Sequence, residues 1–258
     1  MRIIFVRHGE PDYVEDRLTE KGKKEALLVA SRLSSIPVTG FYVSPLGRAL
    51  ETAQPTLEKL GRKAVVLDWL QEFSAELDVS GSSYLQEAYP NTSRNPDGTW
   101  QPRIVWDMLP SAWMRDERNF EKDAWRQMPT AKASDMEAVY DATCRGLDAL
   151  LAQYGYIRDG GMYVTKQGRN DTIVLFCHFG ITAVMLSHLW NVSPFILLHA
   201  LAMAPSSVTD VYSEERVRGQ VSFRAARIGD ISHLYAAGEE PSFACRFCET
   251  YDNMDQRH

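Results

Sequence analysis

An α/β fold, a three-layer α/β/α sandwich around a mostly parallel central sheet, is what the sequence predicts. Three observations lead there. Short apolar strands alternate with amphipathic helices, polar tripeptides follow three of those strands, and between about residues 73 and 134 the alternation breaks down into a Trp-rich insertion. Strands that alternate with helices imply parallel pairing with both faces of the sheet covered.

Ile3 to Val6 is β-branched and aromatic and runs into Arg7-His8-Gly9, the pattern of a strand buried on both faces. Lys23 to Leu33 carries Ala26, Leu27, Val29, Ala30 and Leu33 at helical spacing, with Thr19 placed to cap it. Thr39 to Val43 reads as a second strand ending at Ser44-Pro45, and Leu46 to Leu60 as a second helix. Ala64 to Leu67 is a third strand and Thr172 to Cys177 a fourth, followed by a helix from about Ile181 to Trp190. Val208 to Tyr212 and Val221 to Ala226 look like late strands in a hairpin at one side. In the insertion Gly, Pro, Ser and Asn are frequent, yet Trp100, Trp106, Trp113 and Trp125 fall there. Disordered segments are poor in such residues, so a folded cap is expected rather than a linker. A helix from about Met136 to Tyr154 then returns the chain to the sheet. One domain over 1–258 with a cap subdomain inserted at about 73–134 is the expected organisation.

Composition narrows the function. The 258 residues are 45% hydrophobic and 24% charged, with a net charge of -6. No general basic field exists, which argues against nucleic acid as a partner and makes any anion site local. No apolar run reaches 18 residues; the longest candidate, Thr172 to Leu189, is interrupted by His178, Gly180 and His188, so no membrane partner is expected. The N-terminal apolar stretch is too short for a signal h-region, and a cytoplasmic location follows as an expectation. Cys245 and Cys248 form a CxxC, but no second pair completes a tetrahedral metal site, and all four cysteines read as ordinary thiols. Nothing in the pattern bears on oligomeric state.

In open parallel sheets ligands sit at the carboxyl ends of strands. Arg7-His8-Gly9-Glu10, Ser44-Pro45-Leu46-Gly47-Arg48 and Cys177-His178-Phe179-Gly180 each follow a predicted strand. Two histidines and two arginines converging there suit a tetrahedral dianion, since each guanidinium offers a planar fork of donors and a helix start adds backbone N–H groups. A neutral imidazole also attacks phosphorus, which splits one difficult displacement into two. One histidine then serves as nucleophile and the other as donor. The bland alternative, that both histidines are satisfied core residues, is disfavoured by the same strand-end placement occurring twice. For His188 and His199, on apolar helical stretches, the core reading is preferred. Arg48 stands in a helix first turn, where positive charge opposes the dipole, and that predicts an anion partner.

Together with Leu18-Thr19-Glu20-Lys21-Gly22 and the continuation Arg48-Ala49-Leu50-Glu51-Thr52-Ala53, these segments resemble the histidine phosphatase superfamily, also called the phosphoglycerate mutase-like family. The resemblance implies that His8 is phosphorylated, that Arg7 and Arg48 bind phosphate with Phe179 beside them, and that His178 supplies the second imidazole. It also implies a proton donor in a Leu-x-Glu element after the third strand, here Leu70-Gln71-Glu72. Glu72 is therefore the expected general acid, with a raised pKa to suit that role, and Glu76 its rival. Gly229 to Leu234 resembles a C-terminal element of some members, and His233 within it is read as structural or peripheral.

Two departures bear on activity. Many members carry an Asn three residues beyond the RHGE segment that touches phosphate, whereas this chain reads Glu10-Pro11-Asp12-Tyr13 with a shortened loop before Leu18. Mutases also carry a basic cap, and the insertion here holds seven Lys or Arg against nine Asp or Glu. The expected activity is hydrolysis of a small phosphomonoester without metal or cofactor, because no DxD or HExxH spacing appears. Phosphoglycerate mutase-type transfer and a non-catalytic phosphate- or protein-binding module are the alternatives. The tryptophans are expected to meet an apolar part of the substrate, with Arg103, Arg115, Arg118 and Arg126 as anion contacts.

Overall fold

The computed structural model describes residues 1–89, 93–242 and 252 of the chain. The Cys245–Cys248 motif lies outside the described residues. In chain order the elements are β1 (Arg2–Arg7), β2 (Pro11–Asp12), β3 (Arg17–Leu18), α1 (Glu20–Leu33), β4 (Gly40–Val43), α2 (Gly47–Leu60) and β5 (Val65–Val66). There follow β6 (Glu76–Leu77), α3 (Ser83–Ala88), β7 (Arg103–Ile104), α4 (Pro110–Trp113), α5 (Pro129–Lys132) and α6 (Met136–Gln153). Last among the described elements come β8 (Ile157–Asp159), β9 (Met162–Val164), β10 (Thr172–Cys177), α7 (Phe179–Trp190), α8 (Pro194–Ala200), β11 (Val208–Val217), β12 (Gln220–Asp230) and α9 (Ser232–Ala236).

Eight strands form one mixed sheet in the order β5-β4-β10-β1-β11-β12-β9-β8. The half from β5 to β1 is parallel, and the rest pairs antiparallel. This central sheet with flanking helices is the α/β architecture that the alternating pattern predicts. All six residues of β10, and every residue of β1 after Arg2, are buried, as continuous apolar strands require when both faces are covered. On one face Ile4, Val6, Phe41, Val43, Val174 and Phe176 pack against Val29 and Leu33 of α1 and Ala49 and Ala53 of α2. On the other, the Tyr42 hydroxyl bonds that of Tyr154, just past α6, at 2.8 Å.

By its internal contacts the chain divides into two compact units. The first comprises Met1–Glu72, Leu150–Thr182 and Ala202–His258, and holds the eight-stranded sheet with α1 and α2. The second comprises Phe73–Ala149 and Ala183–Leu201, and takes in the predicted insertion together with most of α6 and α7. Within the second unit Trp125 is fully buried against Tyr140 and Phe195. Trp113 stacks on His199, which in turn stacks on Phe195, and Trp106 stacks on Phe73. Trp125 is therefore core packing of the unit rather than a surface awaiting a substrate, while Trp106 and Trp113 are half-buried. A segment with short helices and one two-stranded ladder has few apolar faces to bury, and large rings supply the missing area. The core reading of His199 agrees with its stacking. His188 instead meets the Asp148 carboxylate at 2.9 Å.

Two glycines let the loop after β1 lie against α1. A Cβ on Gly22 would stand 2.2 Å from the Glu10 carbonyl oxygen, and one on Gly9 2.6 Å from that of Gly22. Thr19 locks the join: its Oγ1 accepts from the Gly22 N–H as the N-cap of α1 and donates to Glu10 Oε1 at 2.8 Å. Among the described residues no helix is long and apolar enough to cross a membrane.

Candidate active site

The sheet order explains how residues 170 positions apart become neighbours. β1 and β10 are adjacent and parallel with Arg7 opposite Cys177, so His8 and His178 leave the sheet side by side, their ring centroids 5.1 Å apart. β4 flanks β10 on its other side, and the next residue, Ser44, puts its Oγ 2.8 Å from His178 Nε2. After Pro45 and Leu46 the chain turns into α2, whose second residue is Arg48.

His8 is 1% exposed, and its Nδ1 lies 2.7 Å from the Gly9 carbonyl oxygen. A carbonyl only accepts, so Nδ1 carries the hydrogen and Nε2 keeps its lone pair. Burial, with the charges of Arg7 and Arg48, drives the His8 pKa down to about 3, so the ring is neutral in physiological conditions. His178 is fully buried, and the same burial, with His8, Arg48 and Arg7 beside it, holds its pKa well below the ordinary value. Arg7 donates through Nη1 to the Met203 carbonyl and lies over the Phe179 ring, 5.8 Å from guanidinium carbon to centroid. Three buried nitrogens, Arg7 Nε, Arg48 Nε and His178 Nδ1, have no hydrogen-bond partner among the described residues. Buried N–H groups without acceptors are costly, and guanidinium donors most of all. An anion with several acceptor oxygens is the chemistry that satisfies such a set.

Arg48 does have the anion partner its helix position calls for, and it is internal. Asp16, with φ of +48°, accepts from Arg48 Nη1 at 2.5 Å and from the Gly47 N–H at 2.6 Å, so one carboxylate caps α2 and balances the guanidinium. Tyr13 occupies the region of the missing Asn: its ring sits edge-on to His8 at 6.3 Å and 5.3 Å from the Arg48 guanidinium carbon. Thr52 accepts from the Gly9 N–H at 2.9 Å and donates to the Arg48 carbonyl at 2.7 Å, tying the His8 loop to the Arg48 turn.

Glu72, half-buried, accepts through Oε1 from the Ile181 N–H at 3.0 Å, in the first turn of α7 and three residues past His178. A carboxylate is favourable at a helix N-terminus. Glu76 is exposed on β6, in the second unit. Arg103, Arg118 and Arg126 are paired with Asp107, Asp116 and Asp141 of their own unit, and Arg115 is exposed. His233 is structural as expected: it accepts from Arg32 at Nδ1 and donates to Ser206 Oγ, and burial lowers its pKa to about 4.

Residues 3–104 match the model of the histidine phosphatase superfamily (branch 1). The probable phosphoglycerate mutase GpmB of Cronobacter sakazakii is 27% identical over 114 residues, which are 41% of this chain and 50% of that protein. The 2,3-bisphosphoglycerate-dependent phosphoglycerate mutase of Thermoplasma acidophilum is 35% identical over 72 residues, 24% of this chain and 36% of its own length. The chain thus spans half or less of the curated relatives it matches. Among solved structures, a mycobacterial glucosyl-3-phosphoglycerate phosphatase with inorganic phosphate aligns with a TM-score of 0.59 at 18% identity, over 90% of this chain and 98% of that one. A mutant phosphoserine phosphatase of Entamoeba histolytica in complex with phosphoserine aligns at 0.57 and 17%, with the same coverage. Those likenesses establish the fold. The likeness to the histidine phosphatase superfamily lies in residues 3–104.

Proposed function

We propose that the chain is a metal-independent phosphomonoesterase that works through a phosphohistidine at His8. Nε2 attacks the phosphorus of a small phosphoester held by Arg7, Arg48 and His178, the P–O bond to the leaving group breaks, and Glu72 gives that oxygen its proton. Water then attacks the phosphorus and gives a proton to the Glu72 carboxylate, and the P–N bond breaks to free inorganic phosphate. The observation that carries this reading is the neutral His8 imidazole, held in the Nδ1–H tautomer beside buried donors that lack partners among the described residues.

Small phosphorylated metabolites are the substrate class that the neighbours support, since their names describe phosphatases of phosphoserine and of a glucosylated phosphoglycerate. The curated relatives are named mutases, and a mutase must hold a bisphosphate long enough for transfer to outrun hydrolysis. The insertion holds seven Lys or Arg against nine Asp or Glu, unlike the basic cap of a mutase, which favours hydrolysis. With 3-phosphoglycerate the expected outcome is phosphate release without 2-phosphoglycerate. Isomerisation faster than release would replace this reading with the mutase, and no turnover of any phosphoester in a broad panel would leave a binding module.

A further inference from the structure

Glu25 of α1 is 0% exposed and stands directly behind the nucleophile loop. Its Oε2 accepts the Glu10 N–H at 2.7 Å. The Glu10 N–H and the Gly9 carbonyl are two ends of one peptide group, and that carbonyl accepts His8 Nδ1–H at 2.7 Å. Carboxyl, peptide and imidazole therefore form a continuous hydrogen-bonded chain, and such chains polarise one another in a low-dielectric interior. The glycine contacts between Gly9, Gly22 and Glu10 leave this peptide no room to turn away. The other carboxyl oxygen, Glu25 Oε1, is buried without a partner among the described residues, which is not how an ion-pair or a simple structural carboxylate is housed.

We propose that Glu25 is a positioning residue that sets the basicity of His8 through the Gly9–Glu10 peptide, so that loss of the Glu25 proton makes Nε2 a stronger nucleophile. The proposal rests on His8 being the nucleophile. A negative charge at Oε2 draws the peptide dipole into line, deepens the partial negative charge on the Gly9 oxygen, and strengthens its hold on Nδ1–H. That compensates the positive charge which the imidazole gains when Nε2 bonds to phosphorus. Burial raises the Glu25 pKa to about 7, opposed by the Glu10 N–H and Lys21 and helped by the carboxylates of Glu10 and Glu239. Lys21 is itself held by Glu239 at 2.7 Å, and Glu10 by the hydroxyls of Thr19 and Ser242.

Three full-length proteins test this: wild type, Glu25→Gln, which keeps the acceptor for Glu10 N–H, and His8→Ala, which identifies the His8 signals. In wild type the ¹⁵N resonances of the His8 ring should shift with a midpoint near pH 7 while the ring stays neutral, and in Glu25→Gln that titration should vanish. With p-nitrophenyl phosphate the phosphorylation step of Glu25→Gln should be slower by roughly five- to tenfold at pH 8, the difference between a charged and a neutral hydrogen-bond acceptor, with KM unchanged and rates converging at pH 6. An unaltered His8 titration in Glu25→Gln overturns the coupling, and an equal loss of rate at both pH values assigns Glu25 a merely structural role. If no protein forms phosphohistidine, the phosphatase reading fails while the ring titration still decides the coupling.

Discussion

His8→Ala should carry no label after treatment with a phosphoester labelled at phosphorus, whereas acid-quenched wild type should. Turnover should fall by roughly 10⁴- to 10⁶-fold, the scale set by removing the nucleophile from a covalent mechanism. His8 Nε2 has its lone pair because Nδ1–H is engaged by Gly9, and the ring stays neutral because Arg7 and Arg48 oppose its protonation. The second imidazole is differently placed: His178 Nε2 is committed to Ser44, whose Oγ lies 3.3 Å from the Leu46 N–H. If that hydroxyl accepts from Leu46 and donates to Nε2, the hydrogen stays on His178 Nδ1, where it serves a phosphate oxygen. Arg7, Arg48 and His178 persist in His8→Ala, so inorganic phosphate should still bind, measured by calorimetry. Retained label in the variant would hand the nucleophilic role to another residue.

Glu25 also predicts a pH dependence of stability. Its native pKa, about 7, lies above the ordinary carboxyl value of 4.5, so between those values the native state holds a proton that the unfolded state has released. Stability therefore declines as pH rises through that window, by on the order of 3 kcal/mol in all, and the cost is complete above pH 7. Glu25→Gln should unfold at a higher temperature than wild type at pH 8 and at the same temperature at pH 4, as measured by circular dichroism.

The strands that carry the site were the most legible part of the chain. β1 and β10 are apolar throughout because both faces are covered, so they stand out without any alternation, and the histidines follow at their ends. The capping of α1 by Thr19 was readable for the same reason, since it is a contact within four residues. The start of α7 at Phe179 was not, because Gly180 reads as a break although a glycine in the first turn interrupts no ladder of bonds. β11 and β12 run several residues past their apolar stretches, where Glu214 pairs with Arg216 and Arg224 in solvent and leaves no hydrophobic pattern to read. The hairpin of β8 and β9 turns at Asp159-Gly160-Gly161, a turn signal in plain view but flanked by only three residues a side. At the site, Asp16 and Glu25 escaped notice, and Ser44 and Tyr13 stood in the quoted segments without a role. Each acts on a residue of another segment, through contacts that only the folded chain creates.

Glu72→Gln should separate proton transfer from everything else the site does. The amide oxygen can still accept the Ile181 N–H, so the start of α7 should stay intact and inorganic phosphate should still bind. What is lost is the proton for the leaving oxygen, and with an alkyl phosphate, whose alkoxide is a poor leaving group, turnover should drop by roughly 10²- to 10⁴-fold. With p-nitrophenyl phosphate the leaving group departs without a proton, so phosphorylation of His8 should be nearly unimpaired. The second half-reaction still needs a base for the attacking water, so phospho-His8 should accumulate and the burst of nitrophenolate should outrun steady turnover. Equal losses with both substrates would mean that Glu72 serves the helix and not the proton. Unchanged rates with both would move the acid role to Glu76, since then neither departure of the alkoxide nor attack by water would depend on the carboxyl at position 72.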